Sequence, residues 1–284
     1  MQVVPMLGYY ETYLGPYPFP RDGYALVESP YLGMEHQSAI AYGNDYNPGY
    51  NGIDYSMLGL DFDYIIVHES GHEYWGNSVS MADIADMWIH EGFCTYSELI
   101  YVESRYGRTT ADLYAYSWQF RILNNTPVIG SYHVNHEGGT DMYYKAATML
   151  NMLRCLVNDD NLWWDCLRGI QRDFRHKVTN TDEIIAYMNR HLGKDYTWLF
   201  NQYLRYKQPP TLEVKTSRKG EYTVVKTRWV DSAPEFCMPV FYLTEQHQLK
   251  PIQTIAGQWT ETKLKINHFD VNYLDRLHYY YLMK

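Results

Sequence analysis

The chain has no apolar run approaching the length of a membrane-crossing helix, no dense Lys/Arg stretch, and no two cysteines in a C-x-x-C pair. Each gap removes a class of function. A spanning helix needs about 20 consecutive apolar residues, so no segment reads as one. Basic residues number 24 against 33 acids, for a formal charge of −9. That balance argues against nucleic acid as a partner. Cys94, Cys155, Cys166 and Cys237 lack the short spacing of a cysteine-ligated zinc site. Repeats and low-complexity segments are missing too. What abounds is tyrosine, with 30 residues in an aromatic share of 17%. Rings with polar tips suit a broad, wet peptide cleft as well as ordinary semi-buried surface. A length of 284 residues allows a sizeable core in one large or two modest domains.

The most informative segment is His68-Glu-Ser-Gly-His72, an H-E-x-x-H motif, followed by Glu91 after eighteen intervening residues. On a helix, residues four apart share one face about one turn apart, so two imidazoles reach a single metal ion. Two neutral imidazoles, a carboxylate and one open position make a catalytic zinc site rather than a structural one. Glu69 sits about 100° around the helix from His68, beside the metal, where it takes a proton from water. Asp61 or Asp63 caps this helix and Gly76-Asn77 ends it. Asp83 starts a second helix, running from about Ile84 to Tyr106 before Gly107. A short turn over 77–82 makes the two helices antiparallel and brings Glu91 opposite the histidines as third ligand. Glu98, seven residues beyond Glu91, shares its face and is placed to orient a ligand histidine. The bland reading is two surface histidines and coincidental acids on amphipathic helices. No common structural role calls for all four residues at that spacing.

The surrounding residues carry a resemblance. His68-Glu-Ser-Gly-His-Glu-Tyr-Trp-Gly-Asn77 resembles the H-E-x-x-H-x-W-x-G-N segment of the aminopeptidase N and leukotriene hydrolase family of zinc peptidases, which are gluzincins. Trp88-Ile-His-Glu-Gly-Phe-Cys-Thr-Tyr-Ser-Glu98 is similar to that family's W-L-N-E-G-F-x-x-Y-x-E helix. Upstream, Gly33-Met-Glu-His36 resembles its G-x-M-E-N motif, and downstream Tyr143-Tyr-Lys-Ala146 resembles its Y-x-K-G segment. The four occur in the family's order, across roughly residues 20–205. The resemblance implies a thermolysin-like domain that removes amino acids from peptides with a free N-terminus, using one zinc ion. By position it implies that His68, His72 and Glu91 bind zinc and that Glu69 is the base. It also implies that Glu35 binds the substrate's α-ammonium, that Tyr143 donates a hydrogen bond to the oxyanion, and that Gly33 and Met34 lie along the substrate backbone. Tyr144 is the rival for the oxyanion role. Four positions depart from the family pattern: His36 and His90 stand for Asn, Tyr74 for Trp and Ala146 for Gly. Family members usually carry a β-rich domain before the catalytic one. Only about thirty residues precede Gly33, so the expectation is a fragment lacking that domain.

Along the chain, residues 1–32 begin with a short helix that Gly15-Pro-Tyr-Pro-Phe-Pro20 breaks. Tyr24–Glu28 and Met34–Tyr42 read as strands, the second as a sheet edge open to an extended peptide. Residues 42–59 read as a loop. Further helices are expected over Thr110–Leu123, from Thr140 or Asp141 to about Val157, and over Leu162–Phe174, Thr181–His191 and Tyr196–Tyr206. After Gln208-Pro-Pro210 the pattern changes to period-two segments with Gly220 and Gly257 at turns. The expected fold is therefore α+β: a thermolysin-like, mainly helical zinc peptidase domain over 1–208, then a small β-sandwich domain over 209–284. The same residues leave two other readings. One is another zinc hydrolase of this fold, an endopeptidase or epoxide hydrolase. The other is a catalytically silent peptide-binding module.

Overall fold

The computed structural model describes residues 2–269 and 273–284. Helix α1 (Val3–Leu14) buries Met6, Tyr10 and Leu14, which recur every four residues on one face. The Tyr10 hydroxyl donates to the Val67 carbonyl at 2.8 Å, tying this helix to the zinc-motif segment. Three short strands follow: β1 (Ala25–Glu28), β2 (Gly33–Met34) and β3 (Ala39–Tyr42). Their order is β1-β3-β2, with β1 parallel and β2 antiparallel to β3. The single strand expected over Met34–Tyr42 is thus two strands around a turn, where Ser38 takes a positive φ of 58°. The buried Glu73 carboxylate holds that turn, accepting from the Ser38 amide at 2.6 Å. As expected, β2 lies at an edge of its sheet.

Helix α2 (Tyr64–Gly71) is capped by Asp63, whose carboxylate accepts from the Ile66 amide at 3.3 Å. Asp61, the other candidate, instead pairs with Arg105 at 3.0 Å. The helix is shorter than expected. It stops at Gly71 with His72 at its C-cap, and the chain continues through turns to Gly76, where φ is 125°. A two-stranded parallel pairing then joins β4 (Val79–Met81) to β5 (Lys177–Thr179), a link with no local sequence signature. Asp83 caps a 3-10 turn over Ile84–Asp86 by accepting from the Ala85 amide at 2.9 Å, and α3 (Trp88–Tyr106) starts after it.

The remaining helices are α4 (Arg108–Trp118), α5 (Asp141–Val157), α6 (Asp160–Asp173), α7 (Thr181–Leu192) and the short α8 (Thr197–Phe200). The segment expected to be helical to Leu123 ends α4 at Trp118, followed by a 3-10 turn over Gln119–Arg121. Asp141 does not cap its own helix. It accepts from the Leu123 and Asn124 amides at 2.8 and 2.7 Å and so anchors the incoming loop. Helix α7 starts at Thr181 as expected, with Asn180 capping it by accepting from the Glu183 amide at 2.9 Å. After α8 comes a π-helical turn over Asn201–Arg205, where one longer helix was expected.

Beyond Pro210, β6 (Thr211–Lys219) and β7 (Tyr222–Val230) form a long antiparallel hairpin. A second hairpin joins β8 (Val240–Leu243) to β9 (Leu249–Ile252). Strand β10 (Thr260–Leu264) flanks β7, the short α9 (Tyr273–His278) follows, and β11 (Leu282–Met283) pairs in parallel with β6. The change to strands at this point matches the sequence reading. Packing is continuous across it, however. Leu212, Val225, Trp229 and Phe236 belong to the same buried cluster as the helices, and the Trp198 and Phe236 rings meet edge to face at 5.4 Å. Gln202 also accepts from the Ala233 amide at 2.7 Å. Among the described residues no helix is long and apolar enough to cross a membrane.

The helices that carry the site meet most closely at Gly92. A Cβ there would lie 2.6 Å from the Ala146 Cβ and 3.2 Å from the Met142 carbonyl, so α3 and α5 cross with no room for a side chain. Gly92→Ala gains up to about 1 kcal/mol of helix propensity but forces an overpacked contact costing about 1–3 kcal/mol. The net loss expected in chemical denaturation is about 1 kcal/mol, and adding Ala146→Gly should restore most of it. A single variant as stable as the parent would show that this crossing has slack.

Candidate active site and metal centre

Helices α2 and α3 bring the four motif residues together. His68 Nε2 lies 3.2 Å from Glu91 Oε2, and His72 Nε2 lies 3.4 Å from the same oxygen. Ligands at about 2.05 Å from a tetrahedral zinc are separated by about 3.3 Å, so these spacings are those of atoms sharing one ion. The opposite ring nitrogens are engaged elsewhere. His68 Nδ1 faces Glu98 Oε1 at 2.8 Å, and His72 Nδ1 faces the Trp75 carbonyl at 3.0 Å. An acceptor at Nδ1 keeps the proton there and leaves the Nε2 lone pair for a metal. The donor set therefore fits zinc. Cys94 also lies within 4.8 Å of the two histidines. Its thiol is spent on the His68 carbonyl, at 2.6 Å, and burial pushes its pKa up, so Glu91 is the better third ligand.

Glu98 is fully buried, and its second oxygen accepts from the Tyr114 hydroxyl at 2.6 Å. The chain His68–Glu98–Tyr114 thus ties a ligand imidazole through α3 to α4. Tyr64 also stacks on the His68 ring, with centroids 5.5 Å apart. Sequence reasoning missed both tyrosines, which are two among many. An aromatic four residues before a ligand histidine on one helix was the available signal for Tyr64.

Glu35 follows β2 directly, on the far side of His72 from Glu98. Its Oε2 lies 2.7 Å from His72 Nδ1, and its Oε1 lies 3.4 Å from His90 Nδ1. Both oxygens face imidazoles, an engagement the sequence did not foreshadow. Burial acts to raise the Glu35 pKa, but the contacts from His72 and His90 outweigh it and bring the carboxyl down to about 2. His90 is itself oriented: its Nε2 accepts from the Met81 amide at 3.1 Å, which leaves Nδ1 as the protonated nitrogen facing Glu35. His36 and Met34 are exposed.

Gly33, on β2, abuts Glu69. A Cβ there would sit 2.6 Å from Glu69 Oε1, so only glycine lets the sheet edge approach the carboxylate this closely. Glu69 is 9% exposed, and burial raises its pKa. Together with His68 and Tyr143, Glu69 and Gly33 line a cavity of about 450 Å³. Tyr143 is in the first turn of α5, as expected. Burial, followed by the charge of Glu91, pushes its pKa well above the ordinary range. Tyr144 lines the same cavity, with its ring 4.2 Å from the Arg121 guanidinium carbon. Lys145, next in the segment, is buried and donates to the Tyr206 and Lys207 carbonyls at 3.0 and 2.6 Å, so its part is to hold α5 against the end of the helical region.

Residues 2–203 match the family model described as the peptidase family M1 domain. Mouse endoplasmic reticulum aminopeptidase 1 is 26% identical over 196 residues, covering 64% of this chain and 21% of that protein. The human thyrotropin-releasing hormone-degrading ectoenzyme is 31% identical over 100 residues, 34% of this chain and 9% of its own length. The chain therefore spans about a fifth or less of these relatives. Among solved structures, an M1 zinc metallopeptidase from Deinococcus radiodurans aligns with a TM-score of 0.60 at 22% identity, over 74% of this chain and 44% of that one. Legionella pneumophila aminopeptidase A in complex with aspartic acid aligns with a TM-score of 0.68 at 13% identity, over 94% of this chain and 32% of that one. At these identities the structures show a shared fold, and the Legionella alignment carries it into the strand-rich end. With a family match over 2–203 of 284 residues, the chain belongs to peptidase family M1.

Proposed function

We propose that the chain is the catalytic part of a zinc aminopeptidase, hydrolysing the first peptide bond of substrates with a free N-terminus. The observation that carries this reading is the convergence of His68 Nε2 and His72 Nε2 on Glu91 Oε2, at 3.2 and 3.4 Å, with both Nδ1 atoms already engaged. His68, His72 and Glu91 would hold the ion, which when bound supplies Lewis-acid polarisation of a carbonyl and lowers the pKa of water.

The chain's own groups do the rest. Glu69 borders the cavity with no side chain at Gly33 between them, and its raised pKa suits a group that takes a proton from the attacking water and passes it to the leaving nitrogen. Tyr143 keeps its proton, because burial and Glu91 oppose ionisation, and so stays a donor for the developing oxyanion. Glu98 and the Trp75 carbonyl hold the two imidazoles in the metal-binding tautomer. Glu35, ionised and partly exposed, is the carboxylate for the substrate's ammonium, while also buttressing His72. The open edge of β2 at Gly33 and Met34 receives the substrate backbone by strand addition.

Three results are expected. Glu69→Gln should keep one zinc by elemental analysis yet lose at least about a hundredfold in turnover, and near-normal turnover would reject Glu69 as the base. Tyr143→Phe should lower kcat by about tenfold or more, whereas an unchanged kcat would move the oxyanion role to Tyr144. Acetylating the substrate's N-terminus should abolish cleavage. Continued cleavage of the blocked peptide would favour an endopeptidase on the same fold.

A further inference from the structure

The cavity beside Glu69 contains a cation that the proposed chemistry does not use. Arg121, at the end of the 3-10 turn after α4, lines the same space as Glu69, His68 and Tyr143. Its guanidinium carbon lies 4.6 Å over the Tyr55 ring and 4.2 Å over the Tyr144 ring. Among the described residues it has no carboxylate within ion-pair distance and no hydrogen-bond partner. Both rings pack against the guanidinium, and its N–H groups find no acceptor among the described residues. Five in-plane donors are thus available to a ligand that enters the cavity.

The nearby acids do not fill that role. Asp54 lines the cavity, but its Oδ1 accepts from the Ser56 amide and hydroxyl at 2.9 and 2.5 Å, and its Oδ2 accepts from the Leu60 amide at 2.9 Å. Asp54 is therefore turned into its own loop. Glu69 is the proposed base. The direction of the substrate through the site follows from the proposed roles, on which this inference rests. Glu35 and His90 are not among the residues lining the cavity, whereas Gly33, Glu69 and Tyr143 are. With the amine at Glu35 and the scissile bond at Glu69, the cavity receives what lies on the leaving side. A volume of about 450 Å³ takes one to two residues.

We infer that Arg121 is a specificity-determining residue that recognises a carboxylate on the leaving side of the substrate. That carboxylate is either the C-terminus of a very short peptide or the side chain of an acidic second residue. A guanidinium packed against two rings forms a two-point hydrogen-bonded pair with a carboxylate at less loss of side-chain freedom than a mobile one.

The test compares ligand pairs that differ only in that charge. Zinc-loaded protein carrying Glu69→Gln, which keeps the ligands intact, is titrated calorimetrically with Ala-Phe and with Ala-Phe-amide. A second pair, Ala-Glu-amide and Ala-Gln-amide, separates a side-chain source from a terminal one. At least one acid should bind roughly tenfold or more tightly than its neutral partner. That ratio should fall to about one when Arg121→Gln is added, and Arg121→Lys should keep part of it. Because each ratio is taken within one protein, a general loss of stability cancels. Equal binding of acid and neutral partner in both pairs, or a preference that survives Arg121→Gln, overturns the inference. So does undetectable binding of both acids. Cleavage of Ala-Phe-amide by the parent chain separately supports the aminopeptidase reading. Hydrolysis there with no acid preference would therefore sink Arg121's role alone.

Discussion

Two imidazoles can share an ion only if both present a lone pair in the same direction, and the structure is organised around that requirement. Each ring is held from behind. His68 leans on Glu98, and His72 on the Trp75 carbonyl, with Glu35 beside it. These acceptors decide the tautomer, and the tautomer decides whether Nε2 can bind a metal at all. Glu98 is fully buried, so its charge is tolerable only while His68 and Tyr114 satisfy its two oxygens. His68, Glu98 and Tyr114 form one hydrogen-bonded chain, in which removal of either end strands an oxygen of Glu98.

That network needs its helices at fixed distances. Gly92 and Ala146 let α3 and α5 cross closely, and the same crossing places Glu91 near Tyr143. Gly33 does the equivalent for the sheet edge and Glu69. In both places a missing side chain sets the approach of two reactive groups. The anchoring of the strand segment is just as specific. Glu73 holds the Ser38 amide, and Tyr24 bonds Ser70 at 2.7 Å, so the strands bearing Gly33 and Glu35 are fastened to the helix bearing the histidines.

Two departures from the family pattern have a visible consequence here. At position 90, a histidine reaches Glu35 where an asparagine was expected, and the Met81 amide fixes its orientation. At position 146, alanine replaces glycine and fills the space against Gly92. Position 36 is exposed, and position 74 is fully buried, its hydroxyl donating to the Gly15 carbonyl at 3.1 Å. These substitutions leave His68, His72, Glu91 and Glu69 as they are.

The shared face of His68 and His72 and the second helix carrying Glu91 were legible in the sequence because four-residue spacing on a helix is a local property, and the change from helices to strands near Pro210 was legible in the hydrophobic period. The helix over 141–157 with Tyr143 in its first turn was legible for the same reason. Helix ends were read less well. Of the two candidate caps Asp63 takes α2 because Asp61 pairs with Arg105, and α2 stops before His72 because the chain turns between Gly71 and Gly76. Only the tertiary structure decided what stands behind each imidazole, and that Arg121 lines the cavity against the Tyr55 and Tyr144 rings. Those contacts join residues tens of positions apart. Their partners are selected by how α2, α3, α4 and α5 pack, and no local periodicity carries that information.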